Sequence, residues 1–353
     1  MAGMPVVEAL QGDPARLADP TARNRPLLAL CIGDRYGIGP ELVVALLAVQ
    51  SGDVPARILV VGDPDVFMRA QRTVGTRLPL QEVASLAAAA ATDAPIAFLP
   101  RPFAAGVEPL GRVAEPSGRE ILDTLHAMAQ AAKHGHIQGL VYAPLNKQAM
   151  KLAGHPTGDE FDVLAEAMPG SGTAGVINVL GRIWTVRVTS HVPLRHVADL
   201  VTEEAILAAT ALLDRTFAAH HGRRPRMAIA GLNPHAGDGG SFGMEEIEVI
   251  GPAVARAAEL GFAVEGPVPA DTAYVQAARG RYDGIVTMFH DQGQIALKAV
   301  GFGEGITLSA GLRVPVTTPS HGTAYDIAGQ GIGKLDGLRL ALEVCGKLSL
   351  AGT

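Results

Sequence analysis

Short apolar runs of strand length punctuate the chain: LLALCI (27–32), ARILVVG (56–62), GLVYAP (139–144), TVRVTS (185–190), RMAIAGL (226–232) and GIVTMFH (284–290). They are rich in Val, Ile and Leu and alternate little, as strands buried on both faces do. Between them lie stretches of helical periodicity, among them 40–50, 119–134, 203–220 and 245–260, the last opening on two acids as a helix N-terminus favours. Strands alternating with helices predict βαβ units, hence an α/β fold of largely parallel sheets flanked by helices. The alanine run 87–91 suits helix and loop equally. No period of about 20–50 residues recurs, which excludes a solenoid. Pro144, Gly154, Pro156 and Gly158 mark a crossing between domains near 143–158.

The 353 residues leave room for two such domains, at about 100–200 residues each. With 48% hydrophobic and 18% charged residues, the composition suits a large core and not a disordered chain. Net charge is −6 and the basic residues are scattered, so no footprint for nucleic acid or a membrane surface stands out. Two cysteines, Cys31 and Cys345, are too few for a disulfide framework and read as reduced thiols of a cytoplasmic enzyme. Residues 1–25 lack the basic and apolar regions of a secretory signal and read as a flexible extension. No uninterrupted apolar run reaches the roughly 18 residues of a membrane span.

Ligands of open α/β sheets collect at the carboxyl ends of the strands. Three of the 11 histidines fall there: His191 after TVRVTS, His235 in NPHAGDGG after RMAIAGL, and His290 closing GIVTMFH. One such histidine is ordinarily a loop or core residue. Three together point to a divalent cation, with imidazole ligands and an open position for a substrate oxygen. The turn GDRYGIGPEL (33–42) is either an anion cradle at a helix N-terminus or a tight βα turn. Neither a P-loop nor a G-x-S-x-G elbow occurs, which argues against a P-loop ATPase and a serine hydrolase. Lys147 and Lys298 are pocket candidates, and a lysine could act as acid or base there if its pKa were lowered.

The segments IGDRYGIGPEL, APLNKQAMKLAG, SHVPLRHVADLVT, GLNPHAGDGGSFGMEE, GPVPADT, MFHDQGQIALK and SHGTAYDIAGQGIG occur in one order. In that order they resemble the 4-hydroxythreonine-4-phosphate dehydrogenase family across roughly 26–345. The resemblance implies a two-domain subunit of the isocitrate and isopropylmalate dehydrogenase type: 26–153 with 316–353, and 154–315. It implies NAD or NADP, a homodimer with a shared active site, and a divalent metal; zinc is favoured over magnesium, manganese or cobalt. By matching motif, His191 and His235 of one subunit and His290 of its partner hold the metal, Lys298 contacts substrate, and Asp271 and Asp291 line the pocket. The reaction so implied oxidises a secondary alcohol, and the ketone then decarboxylates.

Departures from the family pattern concern the substrate. Glu160 and Phe161 stand where the family carries a substrate-contacting His and Thr. Thr307 and Val316 stand, by gapless count, at its phosphate-contacting Asn and Arg. Each lost charge-assisted hydrogen bond is worth roughly 1.5–3 kcal/mol. Arg313 has a counterpart in the terephthalate dihydrodiol dehydrogenase-like branch and suits a carboxylate. The substrate is therefore a small hydroxy acid or diol: a phosphorylated one of the biosynthetic type, or an unphosphorylated diol carboxylate. Glu160 and Phe161 also keep open a non-catalytic ligand-binding relative.

Overall fold

The computed structural model describes residues 25–49, 54–157, 159–301 and 303–352. The expected N-terminal extension, save Arg25, lies outside the described residues, as do Gln50 of the first expected helix and Gly158 of the expected crossing. Among the described residues twelve strands follow one another: β1 (Leu27–Cys31), β2 (Arg57–Gly62), β3 (Gln81–Glu82), β4 (Ile96–Pro100), β5 (Gly139–Tyr142), β6 (Gly175–Leu180), β7 (Ile183–Arg187), β8 (Met227–Ala230), β9 (Val264–Val268), β10 (Gly284–Thr287), β11 (Ile306–Ala310) and β12 (Val316–Pro319). The chain forms two compact units, one running to Ser171 and resuming at Leu312, the other Gly172–Gly311. Residues 154–157, 159–171 with the helix Glu160–Ala167, and 312–315 thus fall in the first unit, where the resemblance implied the second domain. Leu164, Ala167 and Met168 explain this, because they pack into the first unit's core.

In the first unit the strand order is β3-β4-β2-β1-β5-β12 and every pair is parallel. β1, β2 and β5 are buried along their whole length, which is why their sequences do not alternate. The alanine run becomes the helix Leu86–Ala91. Ser85 Oγ accepts the Ala88 N–H at 3.1 Å, while Arg57 Nη1 donates to the Ala89, Ala90 and Thr92 carbonyls at the far end.

The turn 33–42 is a packing joint rather than an anion cradle. The Ile38 N–H donates to Thr323 O at 3.0 Å, and a Cβ on Gly37 would meet Thr323 at 2.9 Å. Glu41, buried in the first turn of the following helix, accepts the Gly329 and Gly331 N–H groups at 3.1 and 2.9 Å. Asp34, fully buried, accepts from Ser117 Oγ at 2.6 Å and Tyr325 Oη at 2.7 Å. These bonds hold the 323–331 segment against the turn.

In the second unit the order is β11-β6-β7-β10-β8-β9. β7, β10, β8 and β9 run parallel, so their carboxyl ends open on one edge. β6 and β7 form a hairpin through Gly181 at φ 53°, and β11 pairs antiparallel with β6. The helix expected at 245–260 opens as a wider π-helical turn, Glu246–Ile250, before the α-helix Gly251–Glu259.

Candidate active site

All three histidines lie beyond carboxyl ends of the parallel strands of the second unit. His191 follows β7 and is exposed, while His290 opens the helix His290–Gly301 after β10. Their rings stand 5.4 Å apart between centroids. The backbone behind them is tied: Val188 N donates to Thr287 O at 2.8 Å and Thr189 N to Met288 O at 3.0 Å, with Thr189 Oγ1 on the same Met288 oxygen. His290 Nδ1 lies 2.7 Å from Asp291 Oδ1. A carboxylate oxygen only accepts, so a neutral ring in this contact carries its proton on Nδ1 and its lone pair on Nε2, the form in which imidazole binds a cation.

His235 follows β8 in a turn of unusual backbone. His235, Ala236 and Asp238 have φ of 55°, 54° and 44°, and Gly237, Gly239 and Gly240 continue at 81°, 64° and 95°. For a residue with a Cβ this left-handed geometry costs about 1–2 kcal/mol, so partners outside the turn must stabilise it. Glu246 Oε1 accepts the N–H groups of Leu232 and Asn233, both at 2.7 Å, and Oε2 accepts Asn233 Nδ2 at 2.9 Å. Gln292 links this turn to the His290 strand end: its Oε1 accepts Met288 N at 2.7 Å and its Nε2 donates to Gly231 O at 2.8 Å.

The helix carrying His290 presents Gln294 and Lys298 at successive i+4 steps, one row along one side. Lys298 is exposed. Gln294 Nε2 donates to Asn178 Oδ1 at 2.9 Å, and Asn178 Nδ2 to Thr307 Oγ1 at 3.2 Å, across the register pair of β6 and β11. Asp271 is exposed in the first turn of the helix Ala270–Ala278, where its Oδ1 accepts the Thr272 N–H at 2.8 Å.

The remaining candidates belong to the first unit. Lys147 begins the helix Lys147–Leu152, capped by Asn146 Oδ1 on the Ala149 N–H. Its ammonium lies 3.3 Å from Glu160 Oε2 and 3.4 Å from Asp159 Oδ2. Burial works to lower the lysine's pKa, but the Glu160 and Asp159 carboxylates outweigh it and hold the group above the ordinary lysine value. The lowered pKa wanted of an acid–base lysine is therefore absent, and the reason is the acid pair opposite. Phe161 is half-buried, its N–H on Asp159 Oδ1. Arg313 is exposed. Val316, by contrast, is wholly buried in β12 beside Leu140 of β5, within the unit's apolar core.

Among the described residues, no three or more of His, Cys, Asp and Glu gather as metal ligands. Within one chain His191 and His290 form a pair, and His235 is not joined to them as a third. No helix among the described residues is long and apolar enough to cross a membrane.

A model of the family described as pyridoxal phosphate biosynthetic protein PdxA matches residues 55–345. The chain belongs to the PdxA family. A Rhizobium meliloti (strain 1021) relative, provisionally named 4-hydroxythreonine-4-phosphate dehydrogenase 2, is 40% identical over 340 residues, covering 94% of this chain and 96% of its own. The D-threonate 4-phosphate dehydrogenase of Bordetella bronchiseptica is 36% identical over 334 residues, 94% of this chain and 95% of its own. Among solved structures, the 4-hydroxythreonine-4-phosphate dehydrogenase of Klebsiella pneumoniae is similar at 31% identity and a TM-score of 0.77, covering 92% of this chain and 98% of that one. A terephthalate 1,2-cis-dihydrodiol dehydrogenase from Burkholderia xenovorans LB400 is similar at 26% identity and a TM-score of 0.62, covering 90% and 98%. Membership of this family supports an NAD(P)-linked oxidoreductase.

Sequence reasoning passed over Glu246, Gln292, Gln294 and Asn178. Two signals were available: Gln294 lies one helical turn beyond His290, and Gln292 sits inside HDQG. The sequence marks Glu246 only as one of two acids opening a helix, whereas its carboxylate turns inward and binds backbone N–H groups.

Proposed function

We propose that this protein is a divalent-metal-dependent dehydrogenase that oxidises the secondary alcohol of a small hydroxy acid, with NAD or NADP accepting the hydride. The observation that carries this reading is the His191–His290 pair with Asp291 on the Nδ1 of His290. With metal–nitrogen bonds of about 2.1 Å at a tetrahedral angle, two imidazoles on one ion hold their centroids roughly 5 Å apart. The 5.4 Å found here fits that arrangement, and neutral nitrogen donors suit zinc best. His235 completes the set; because it does not join the His191–His290 pair within one chain, the shared site of a homodimer would bring it from the partner subunit, where the family motifs implied His290 in that role.

A bound cation would lower the pKa of the substrate alcohol and stabilise the alkoxide from which hydride leaves. Asp291 keeps His290 in the required tautomer. Lys298, two turns along the same helix, offers positive charge to the acid end of a substrate about 12 Å from the histidine. Asp271, exposed in the first turn of its helix, is the residue we assign to the pocket rim. Where a carboxylate stands β to the new ketone, loss of carbon dioxide follows.

For the substrate we infer a phosphorylated four-carbon hydroxy acid, after the substrates named for the relatives. A second reading is an unphosphorylated diol carboxylate, with Arg313 as its carboxylate partner, and three observations favour it. Val316 lies in the core, Thr307 Oγ1 is engaged by Asn178, and Lys147 is paired with Glu160 and Asp159. None of these groups is a free donor for a phosphate dianion.

Purified protein given NAD or NADP with 4-phosphohydroxythreonine, D-threonate 4-phosphate and a cis-dihydrodiol carboxylate separates the readings by cofactor reduction. Chelation should stop turnover and zinc restore it. His290→Ala should lower turnover by two orders of magnitude or more; near-wild-type activity in that variant would refute the metal assignment.

A further inference from the structure

We infer that Glu246 is a positioning residue, the group that holds His235 in the turn from which it serves as a ligand. The inference rests on the metal reading above. A left-handed run containing His235, Ala236 and Asp238 is not a conformation these residues adopt unaided. Its support centres on one side chain, joined by Glu245 Oε2, which also accepts Asn233 Nδ2 at 2.7 Å, and by Gln292 Nε2 on Gly231 O. Glu246 is 4% exposed, and both of its oxygens are occupied by donors that immediately precede the turn: the backbone N–H groups of Leu232 and Asn233 on Oε1, and Asn233 Nδ2 on Oε2.

A second observation is independent of those bonds. The chain leaves space for the carboxylate on two sides by carrying glycine. A Cβ at Gly231 would stand 3.0 Å from Glu246 Oε1, and one at Gly237 would stand 2.7 Å from Oε2. The turn is thus closed around the carboxylate from before and after His235. With both oxygens engaged by N–H donors, Glu246 acts through the turn and is not itself a ligand. Glutamine could keep Oε1 but would point an NH2 at Asn233 Nδ2, donor against donor, so the negative charge is part of the fit.

The test is zinc titration of the metal-free protein by calorimetry, comparing wild type, Glu246→Gln and His235→Ala, with thermal unfolding and NAD affinity followed alongside. Glu246→Gln should bind zinc about 10–100-fold more weakly, approaching His235→Ala, while its unfolding midpoint and NAD affinity stay near wild type. Zinc affinity within twofold of wild type in Glu246→Gln, with His235→Ala weakened, would overturn the positioning role and leave the metal reading standing. Undiminished zinc binding in His235→Ala would overturn both. Hydrogen exchange on the wild-type protein gives a check that needs no variant: the Leu232 and Asn233 amides should be strongly protected, and unprotected exchange at both would also overturn the inference.

Discussion

His290 takes its tautomer from the residue that follows it. With Nδ1 2.7 Å from a carboxylate oxygen, which only accepts, the neutral ring carries its proton there and its lone pair on Nε2. An amide in place of Asp291 can still accept that hydrogen bond, but it can also offer its NH2 and no longer balances positive charge developing on the ring. Asp291→Asn should therefore lower kcat/KM and zinc affinity together, by about 10–100-fold, and leave NAD affinity unchanged. Steady-state kinetics with a zinc titration checks this, and a loss confined to NAD binding would contradict it. At this scale the histidines are marked as candidates by their strand ends, while Lys298 and Asp291 are marked only by the motif they share with the family. The sequence did not show Glu246, Gln292 or Asn178. Their roles lie in hydrogen bonds to residues 13, 61 and 129 positions away, which no local pattern records.

At the scale of elements, the helix Glu115–Lys133 meets the helix Lys147–Leu152 with almost no clearance. A Cβ on Gly118 would come within 1.9 Å of the Ala149 carbonyl oxygen, a backbone atom that cannot swing aside. Gly118→Ala should force the helices apart and lower stability by about 1–3 kcal/mol, read as a lower denaturation midpoint; an unchanged midpoint would show that the contact yields. Because the shorter helix begins at Lys147, its pairing with Glu160 and Asp159 should loosen too. The strands that were readable from sequence, β1, β2, β5, β7, β8 and β10, are apolar runs in the interior of the sheet orders. Of those that were not, β4 (IAFLP) is itself a short apolar run that was passed over, and the rest have identifiable reasons. β3 is two exposed residues, β9 carries Gly266 and Pro267, and β12 is VTTP, whose Thr317 hydroxyl is buried by donating to Ala341 O at 2.8 Å. β6 and β11 bury Asn178 and Ser309 and pair antiparallel, which the parallel expectation did not anticipate.

For the whole molecule, the two units respond to pH in opposite senses. In the first, burial pushes the Glu120 carboxyl up to about 7; Arg35, whose Nη1 donates to it at 2.8 Å, opposes the shift, and the nearby Asp63 and Asp34 add to it. An acid whose folded pKa exceeds its unfolded value of 4.5 leaves the folded state holding the extra proton between those two values. Stability from this group is full below about pH 4.5 and declines as pH rises toward 7, by on the order of 3 kcal/mol, then levels off. In the second unit Arg223 and Arg226 hold the Asp283 carboxyl far below its usual range. That contribution is present above the unfolded value of 3.8 and is lost only as pH falls below it. Taken together, the contribution of these two groups is greatest between about pH 4 and 5. Denaturant unfolding at intervals from pH 4.5 to 8 should show the decline, and Glu120→Gln, which cannot ionise, should flatten it. A variant that keeps the wild-type slope across this window would assign the pH dependence to some group other than Glu120.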